Sequence, residues 1–432
     1  MSIRRLNTQQ PDFAAKFSEL VAVDSSVDPE ITRRAEAIVQ DVRARGDEAV
    51  LEYTNRFDHM DVKSVAEFRL TEEDLKEALE TLPKDQKDAL TQAAQRIREF
   101  HEHELGQSWS ITEEDGTKLG IRYIPLDSVG LYVPGGKAAY PSSVLMNVAP
   151  AKVAGVDRIV MTTPPGKDGK VSPNTLVAAC EAGVDEIYKV GGAQAIAALA
   201  FGTESVPKVD KIVGPGNIYV ALAKKAVYGY VSIDSIAGPS EILVLADGGC
   251  NPAWVAADLL SQAEHDKLAS PVLVTDSADL AKAVQAELEV QIPQLPRAAI
   301  ARASVDDNGK IIVCSDLRKA IEACNIIAPE HLEVCVDDPF SVLNEIKNAG
   351  SIFLGRNVPE ALGDYFAGPN HTLPTSGTAR FSSPLGVDDF VKKSSFIYYT
   401  REALEKAAPR IADFAEREGL HAHARSVTIR YE

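Results

Sequence analysis

The chain has 432 residues, a formal net charge of −18 and 45% hydrophobic residues, so it is long enough for two or more domains with buried cores. An acidic chain without basic clusters is a poor binder of nucleic acids and of anionic membranes, and no apolar run is long enough to span a bilayer. The five cysteines form no Cys-x-x-Cys pair, and the first residues show no signal-peptide pattern. These features predict a cytoplasmic protein with reduced thiols.

The N-terminal part of the chain, residues 1–105, is predicted to be mainly helical. Residues 29–53 and 84–103 carry apolar side chains at helical spacing and few glycines or prolines. Two short strands are expected next, near residue 110 and over 120–124.

From residue 129 onward, strand and helix signals alternate. The first series has strands at 129–133, 158–162, 186–190 and 211–213, and the second has strands at 241–246, 271–275, 311–314 and 351–354. Strands that alternate with helices form parallel sheets covered by helices on both faces. We therefore predict an α/β protein with two related, doubly wound, incompletely Rossmann-like domains.

Glycine-rich loops follow several of these strands, at 134–136, 191–194, 214–217 and 238–240. Ligands of parallel sheets bind at the carboxyl ends of the strands, so each loop is a candidate for contact with a phosphate or a nicotinamide. None of the loops is Gly-x-Gly-x-x-Gly, and the standard dinucleotide fingerprint is therefore absent. Taken singly, each loop is also explained as a tight turn between two elements.

Glu330 and His331 are the candidate proton-transfer pair. Pro329 fixes the chain directly before them, and the following residues alternate as in a strand, with His331, Glu333 and Cys335 on one side. At a turn, a neighbouring carboxylate and imidazole reach one cleft, where they can move protons near neutral pH. An isolated pair is also explained as a solvated glutamate beside a packed histidine. Cys335 has no cation next to it in sequence and is predicted to be structural.

Three stretches contain residue types that bind metals. Gln262 and His265 are three residues apart, on one face of a helix predicted over 252–265. Asp364 lies in a loop rich in glycine and proline, and the tail contains His421 and His423. Imidazoles and carboxylates scattered through an α/β chain suit a zinc site with an open position. Glutamine is a weak ligand, however, and histidines near a chain end are also explained as solvated.

Two polar stretches complete the pattern. His101 and His103 lie among many polar residues and are predicted to be solvated. The tail, from about residue 411 to 425, is predicted to be a helix that ends at Gly419, a helix-stop residue. After that stop the chain is too polar to form a core element of its own, so a metal ligand there must be anchored by something else.

Five longer motifs are distributed along the chain: Gly-Leu-Tyr-Val-Pro-Gly-Gly at 130–136, Leu-Leu-Ser-Gln-Ala-Glu-His at 259–265, Ala-Pro-Glu-His-Leu-Glu at 328–333, Gly-Pro-Asn-His-Thr-Leu-Pro-Thr at 368–375 and Glu-Gly-Leu-x-Ala-His at 418–423. Together they resemble histidinol dehydrogenase over essentially the whole chain. The resemblance implies a zinc- and NAD-dependent enzyme of histidine biosynthesis. It would oxidise L-histidinol through L-histidinaldehyde to L-histidine, reducing two NAD in succession.

The resemblance also implies roles for single residues. One zinc per subunit would be bound by Gln262, His265, Asp364 and His423, with His423 donated by the partner subunit of a homodimer. The catalytic pair would be Glu330 and His331. The substrate contacts would be Ser240, Gln262, His265, His331, Asp364, His371, Glu418 and His423. The NAD contacts would be Tyr132, Gln194 and Asn217.

The expected fold has the two α/β domains plus small helical N- and C-terminal domains. The boundaries are 28–131 with 240–385 for the main domain with zinc and acid–base residues, 132–239 for the domain with the NAD loops, 1–27 with 386–410 for the small domain, and 411–432 for a tail that reaches the partner subunit.

Two other functions stay open at this point. Relatives in the family oxidise other small alcohols, such as a sulfonated propanediol, in the same two steps. Glu418 and His371 suit a cationic, imidazole-bearing substrate better than a sulfonate. A non-catalytic, zinc-stabilised binding protein is the other alternative, and the presence of Glu330 and His331 beside a complete ligand set argues against it.

Overall fold

A computed structural model describes residues 3–21, 28–135 and 139–431. Its strands are β1 (Arg4–Asn7), β2 (Trp109–Thr112), β3 (Lys118–Pro125), β4 (Ser128–Tyr132), β5 (Arg158–Thr162), β6 (Glu186–Tyr188), β7 (Lys211–Val213), β8 (Ser232–Ile233), β9 (Glu241–Ala246), β10 (Ser270–Thr275), β11 (Lys310–Val313), β12 (His331–Cys335), β13 (Ser351–Leu354) and β14 (Val391–Tyr398). Gly136, in the predicted loop at 134–136, and parts of the predicted segments 1–27 and 411–432 lie outside the described residues.

The α-helices are α1 (Phe13–Val21), α2 (Pro29–Arg45), α3 (Asp47–Phe57), α4 (Glu72–Thr81), α5 (Lys84–Glu102), α6 (Pro141–Ala154), α7 (Pro173–Ala182), α8 (Gly192–Phe201), α9 (Ile218–Val227), α10 (Pro252–Ala263), α11 (Ala278–Gln291), α12 (Ala298–Asp307), α13 (Leu317–Ile327), α14 (Pro339–Val342), α15 (Glu360–Tyr365), α16 (Arg401–Arg417) and α17 (His421–Thr428).

Two parallel sheets form the centre of the molecule. The first has the strand order β1-β11-β10-β9-β12-β13 and the second has the order β6-β5-β4-β7-β8, and all neighbouring strands in both are parallel. Numbered within each series, β4 to β8 and β9 to β13 both follow the order 3-2-1-4-5, which is the start of the doubly wound arrangement. The predicted α/β class with two related doubly wound sheets is confirmed.

A third, antiparallel sheet has the order β14-β3-β2. It contains the two short strands predicted near residue 110 and over 120–124. Its edge strand β14 pairs along its whole length with β3. The C-terminal region, predicted as helical, therefore contributes a strand before its helices α16 and α17.

The N-terminal helices cover the second sheet, which differs from the predicted grouping of residues 28–131 with 240–385. Val39 of α2 packs in one buried cluster with Ile196 of α8, and Ile97 of α5 packs with Leu131 of β4. An amphipathic helix buries its apolar stripe on whichever sheet face is free, and sequence spacing does not identify that face. β1 also departs from the prediction, because it lies in the first sheet and not in a separate small domain.

A short connection joins the carboxyl edge of the second sheet to the amino edge of the first. The chain leaves the carboxyl end of β8 and enters the amino end of β9 through residues 234–240. The N–H of Gly238 donates a hydrogen bond to Thr375 Oγ1 at 2.7 Å. The N–H of Ser376 donates to Glu241 Oε1 at 3.0 Å. The carboxyl edge of the second sheet therefore adjoins the amino edge of the first.

The opposite edge of the first sheet is closed by ion pairs. In a doubly wound sheet the ligand crevice lies at the carboxyl ends of the strands where the order reverses, here between β9 and β12. Arg356 occupies this position and pairs with Asp247 after β9 and with Asp337 after β12. The side chains of Arg356, Asp247 and Asp337 therefore occupy the place at the carboxyl edge where a doubly wound sheet usually binds its ligand.

The five cysteines are free thiols, as predicted, and Cys335 is packed in the core of the first sheet. None of the helices over the described ranges is both long and apolar enough to cross a membrane.

Candidate active site

The backbone N–H and C=O of one residue, Glu241, fix both predicted proton-transfer residues at the amino edge of the first sheet. The N–H of Glu241 donates to Glu330 Oε2 at 2.8 Å, and its carbonyl oxygen lies 2.9 Å from His331 Nδ1. Because a carbonyl oxygen only accepts, Nδ1 carries a proton, and when the ring is neutral its lone pair is on Nε2. The structure thus brings Glu330 and His331 together with the free ring nitrogen in a defined orientation.

The other ring nitrogen of His331 faces two carboxylates of α15. Nε2 is buried without a hydrogen-bond partner, and it lies 3.9 Å from Glu360 Oε1 and 3.8 Å from Asp364 Oδ1. Burial disfavours the charged ring, but the carboxylates of Glu330, Asp364 and Glu360 outweigh it and raise the pKa of His331 well above its usual value. The three carboxylates therefore stabilise the protonated ring and make Nε2 a strong proton acceptor whenever the ring is neutral.

Helix α15 is held tightly against the sheet. A Cβ atom at Gly363 would lie 2.6 Å from Cε1 of Phe353, so only glycine permits this approach. Glu360 and Asp364 are one helical turn apart and face the same way. Sequence analysis missed Glu360 and Glu241. Glu360 could have been found from its four-residue spacing to Asp364, which places both on one face of a helix. Nothing in the sequence indicates that Glu241 acts through its backbone N–H and C=O.

The carboxyl end of α10, which carries Gln262, lies against α15. Ser261 Oγ donates to Glu360 Oε2 at 2.8 Å, and the neighbouring Gln262 is buried. The predicted helix over 252–265 is two residues too long, because α10 ends at Ala263. His265 lies in the following turn, where its N–H donates to the carbonyl of Gln262 at 3.0 Å, and its side chain is exposed.

Acidic and imidazole groups converge around Asp364. His331, Glu360 and Asp364 each offer one potential ligand atom, and these atoms lie within 4.8 Å of one another. Asp364 Oδ1 is also 3.5 Å from His371 Nδ1. Burial opposes ionisation of Asp364, but the neighbouring imidazoles of His331 and His371 lower its pKa far below the usual range. An ionised carboxylate beside imidazoles is a donor set that suits zinc.

The predicted residues of the tail lie apart from this cluster. Glu418 and His423 are exposed, and Gly419 between them has a φ of 78°, as expected for the predicted helix stop. The chain then forms α17, contrary to the prediction, because Ala424 packs against α16. In the described ranges, no group of three or more potential acid, thiol or imidazole ligands includes His265 or His423.

Ser240 and His371 both lie near the proton-transfer pair. Ser240 directly precedes β9, is partly buried, and its carbonyl accepts from Ser270 N–H at 3.0 Å. The segment before His371 is anchored by His101, which is fully buried and not solvated as predicted. His101 Nε2 lies 3.3 Å from Asn370 Nδ2, so the sequence reading of a polar stretch overlooked a buried partner.

The three predicted NAD-contacting residues lie at the carboxyl edge of the second sheet, at the end of β4, in the first turn of α8 and at the N-cap of α9. Tyr132 ends β4 and its hydroxyl accepts from Gly192 N–H at 3.2 Å. Burial raises the pKa of Tyr132 to about 12, which keeps the phenol neutral. Gln194 is buried with an unpartnered Oε1. Asn217 caps α9 by accepting from the N–H groups of two residues, Tyr219 and Val220.

Tyr132 and Asn217 flank the point where the strand order of the second sheet reverses, between β4 and β7, and a buried ion pair holds the loop there. Gly214 donates its N–H to Asp234 Oδ2 at 2.8 Å and accepts at its carbonyl from Lys224 Nζ at 3.0 Å. Lys224 and Asp234 pair directly, with side chains 3% and 5% exposed. Gly214 has a φ of 106°, and a Cβ there would lie 2.1 Å from the Tyr132 carbonyl oxygen. The loop is therefore preformed.

A buried carboxylate and imidazole, next to a doubly wound sheet with an accessible reversal point, suit an oxidoreductase that binds a nucleotide cofactor. The family model for histidinol dehydrogenase matches residues 23–431. The chain belongs to the histidinol dehydrogenase family.

Relatives confirm this assignment over the full length. Histidinol dehydrogenase from Syntrophotalea carbinolica is 55% identical over 428 residues, which cover 99% of both chains. That from Bacillus subtilis is 56% identical over 417 residues, which cover 96% of this chain and 97% of the relative. The crystal structure of histidinol dehydrogenase from Elizabethkingia anophelis superposes with a TM-score of 0.93 at 35% identity, covering 99% of this chain and 98% of the other.

Proposed function

We propose that this protein oxidises L-histidinol through L-histidinaldehyde to L-histidine and reduces two NAD in succession, as the last steps of histidine biosynthesis. The observation that carries the proposal is the pairing of Glu330 and His331 on the backbone N–H and C=O of Glu241. Membership of the histidinol dehydrogenase family supports the choice of substrate. The free thiols suit a cytoplasmic location, which is part of the proposal.

The two residues divide the proton transfers. In the first oxidation, His331 Nε2 takes the hydroxyl proton as the hydride passes from carbon to NAD. The aldehyde is then hydrated, and a second hydride leaves the hydrate to a second NAD. Glu330 accepts from Glu241 with one oxygen, which leaves its other oxygen to take a proton from the attacking water. The first oxidation releases one NADH and one proton, and the second releases one NADH and two protons because its product is a carboxylate.

Zinc is proposed to bind through Gln262, His265, Asp364 and His423 of the partner subunit, one ion per subunit. The ionised Asp364 and the burial of Gln262 beside α15 support this set. When bound, zinc would hold the imidazole and amine nitrogens of the substrate and so orient the reacting carbon. His331 lies within reach of the same ligand atoms, but its role in proton transfer assigns it to the substrate.

A homodimer is proposed because the C-terminal elements expose large apolar side chains. Ile397 of β14 is 72% exposed and Phe414 of α16 is 67% exposed. Apolar surface of this kind is typically covered by a partner, and a second copy related by a two-fold axis would cover both faces at once. The tail with Glu418 and His423 would then complete the site of the other subunit.

The stoichiometry of NADH tests the function. With L-histidinol and excess NAD, we expect two NADH per substrate molecule, measured by absorbance, because both oxidations occur at one site. A sulfonated propanediol should give no NADH, since Glu418 and His371 suit a cationic substrate. A yield of one NADH from L-histidinol, or turnover of the sulfonate alone, would contradict the proposal.

Substitution of the proton-transfer residues tests their roles. Glu330→Gln and His331→Asn keep the side-chain shapes and should lower turnover by about two to four orders of magnitude, as for loss of a general acid or base. His331→Asn should affect the oxidation of histidinol more, and Glu330→Gln that of histidinaldehyde. Both variants are assayed on both substrates, with Cys314→Ser as a control distant from the site. Wild-type turnover of both variants on both substrates would remove the assignment.

Removal of metal tests the zinc site. Only one of the four proposed ligands carries a full charge, so a strong chelator should strip the zinc and abolish activity, and added zinc or manganese should restore it. Elemental analysis follows the metal content, and Gln262→Ala should retain less zinc than the wild type under the same dialysis. Full activity in protein that contains no metal would rule the zinc out.

Mixing of subunits tests the partner contribution. His423→Ala and Glu330→Gln proteins are each expected to be inactive. After random exchange, half of the dimers hold one site with both defects and one with neither, so about a quarter of the wild-type activity should return. Mixed dimers that form, as shown by mass spectrometry, but stay inactive would place His423 in the site of its own chain.

A further inference from the structure

We propose that Glu333 and Asp258 are positioning residues that fix α10 and α15 relative to each other and so set the spacing between Gln262 and Asp364. This inference rests on the proposed function only in naming those two residues as metal ligands. The two carboxyl groups themselves touch neither substrate nor metal.

Glu333 holds the start of α15. Its side chain is fully buried in β12, on the same side of the strand as His331. Its Oε1 accepts from the N–H of Glu360, the first residue of α15, at 2.8 Å. A backbone donor at a helix start has no partner within the helix, so Glu333 supplies an acceptor that the fold otherwise lacks.

The carboxyl group of Glu333 also lies near Asp258 of α10. Oε2 of Glu333 is buried without a hydrogen-bond partner. Burial and the charge of Asp258 raise the pKa of Glu333 to about 9, which favours the neutral acid beside Asp258.

A further hydrogen bond supports the same arrangement from the other side. Ser261 Oγ donates to Glu360 Oε2 at 2.8 Å, and the same hydroxyl lies 2.7 Å from the carbonyl of Asp258. Asp258, Ser261 and Gln262 lie close together near the carboxyl end of α10. Glu360 and Asp364 lie one turn apart on α15. The proposed ligands Gln262 and Asp364 are therefore each next to a residue of this buried network.

The test separates positioning from general stability. Glu333→Gln keeps an acceptor for Glu360 and a donor for Asp258, whereas Glu333→Leu removes both. Two properties are measured: the affinity for zinc, by competition with a chromophoric chelator, and hydrogen exchange of the α15 amides in metal-free protein. Thr275→Val is the matched control, because Thr275 is equally buried in the same sheet but its hydroxyl accepts from Ser277 at the start of α11.

For Glu333→Leu we expect zinc affinity to fall about 10- to 100-fold, as for loss of a partner that orients a ligand, together with faster exchange in α15. Glu333→Gln and Thr275→Val should stay close to the wild type in both measurements. Asp258→Ala, at a partly exposed helix position, provides a second variant if Glu333→Leu does not fold. It should weaken zinc binding and leave exchange in α15 unchanged.

Unchanged exchange in α15 for a folded Glu333→Leu protein would overturn the proposal. Equal losses of zinc affinity in Glu333→Leu and Thr275→Val would show that Glu333 contributes only to general stability and does not position the proposed ligands. If the wild-type protein itself bound no zinc, the proposed metal would be wrong, while the exchange of α15 would still decide whether Glu333 holds that helix.

Discussion

The candidate active site depends on the backbone N–H and C=O of Glu241. The ladder between β9 and β12 begins with His331 opposite Ile242, so the N–H and C=O of Glu241 on this side lie just beyond the backbone pairing. The side chains of Glu330 and His331 bind these backbone groups instead. The Glu330 carboxylate accepts from the N–H, and the His331 imidazole donates to the C=O. A backbone group inside a sheet is fixed more firmly than any side chain, and the orientation of both proton-transfer groups follows from the sheet itself.

The two sheets have the same strand order but use opposite edges. The second sheet presents its carboxyl edge, where Tyr132 and Asn217 flank the reversal point, as in other doubly wound sheets. The first sheet presents its amino edge, because Arg356 closes the carboxyl edge. Residues 234–240 connect the two open edges directly.

Much of this arrangement could be predicted from the sequence. The alternation after Pro329 indicated β12, and the series of strands and helices indicated two parallel sheets. The roles of Glu330, His331 and the proposed ligands came from long motifs and not from periodicity. Helix ends were less certain, as in α10, because the last turn and the residues that follow it have the same composition.

The remaining features could not be predicted because they depend on contacts between residues distant in sequence. Glu241 acts through its backbone, which leaves no trace in residue type. The polar neighbours of His101 in the sequence predict a solvated side chain. In the structure its partner is Asn370, which comes from a distant segment of the chain. The N-terminal helices bury their stripes on the second sheet, and an apolar stripe carries no information about which sheet it will meet.

The repeated strand order has a consequence for the history of this fold. Two five-strand units with the same winding in one chain are the product expected from duplication of an ancestral half. Immediately after such an event both copies would have offered the same crevice. In the present chain the second sheet keeps this crevice, whereas in the first sheet a guanidinium paired with two aspartates occupies the corresponding position, and the candidate proton-transfer residues lie at the opposite edge.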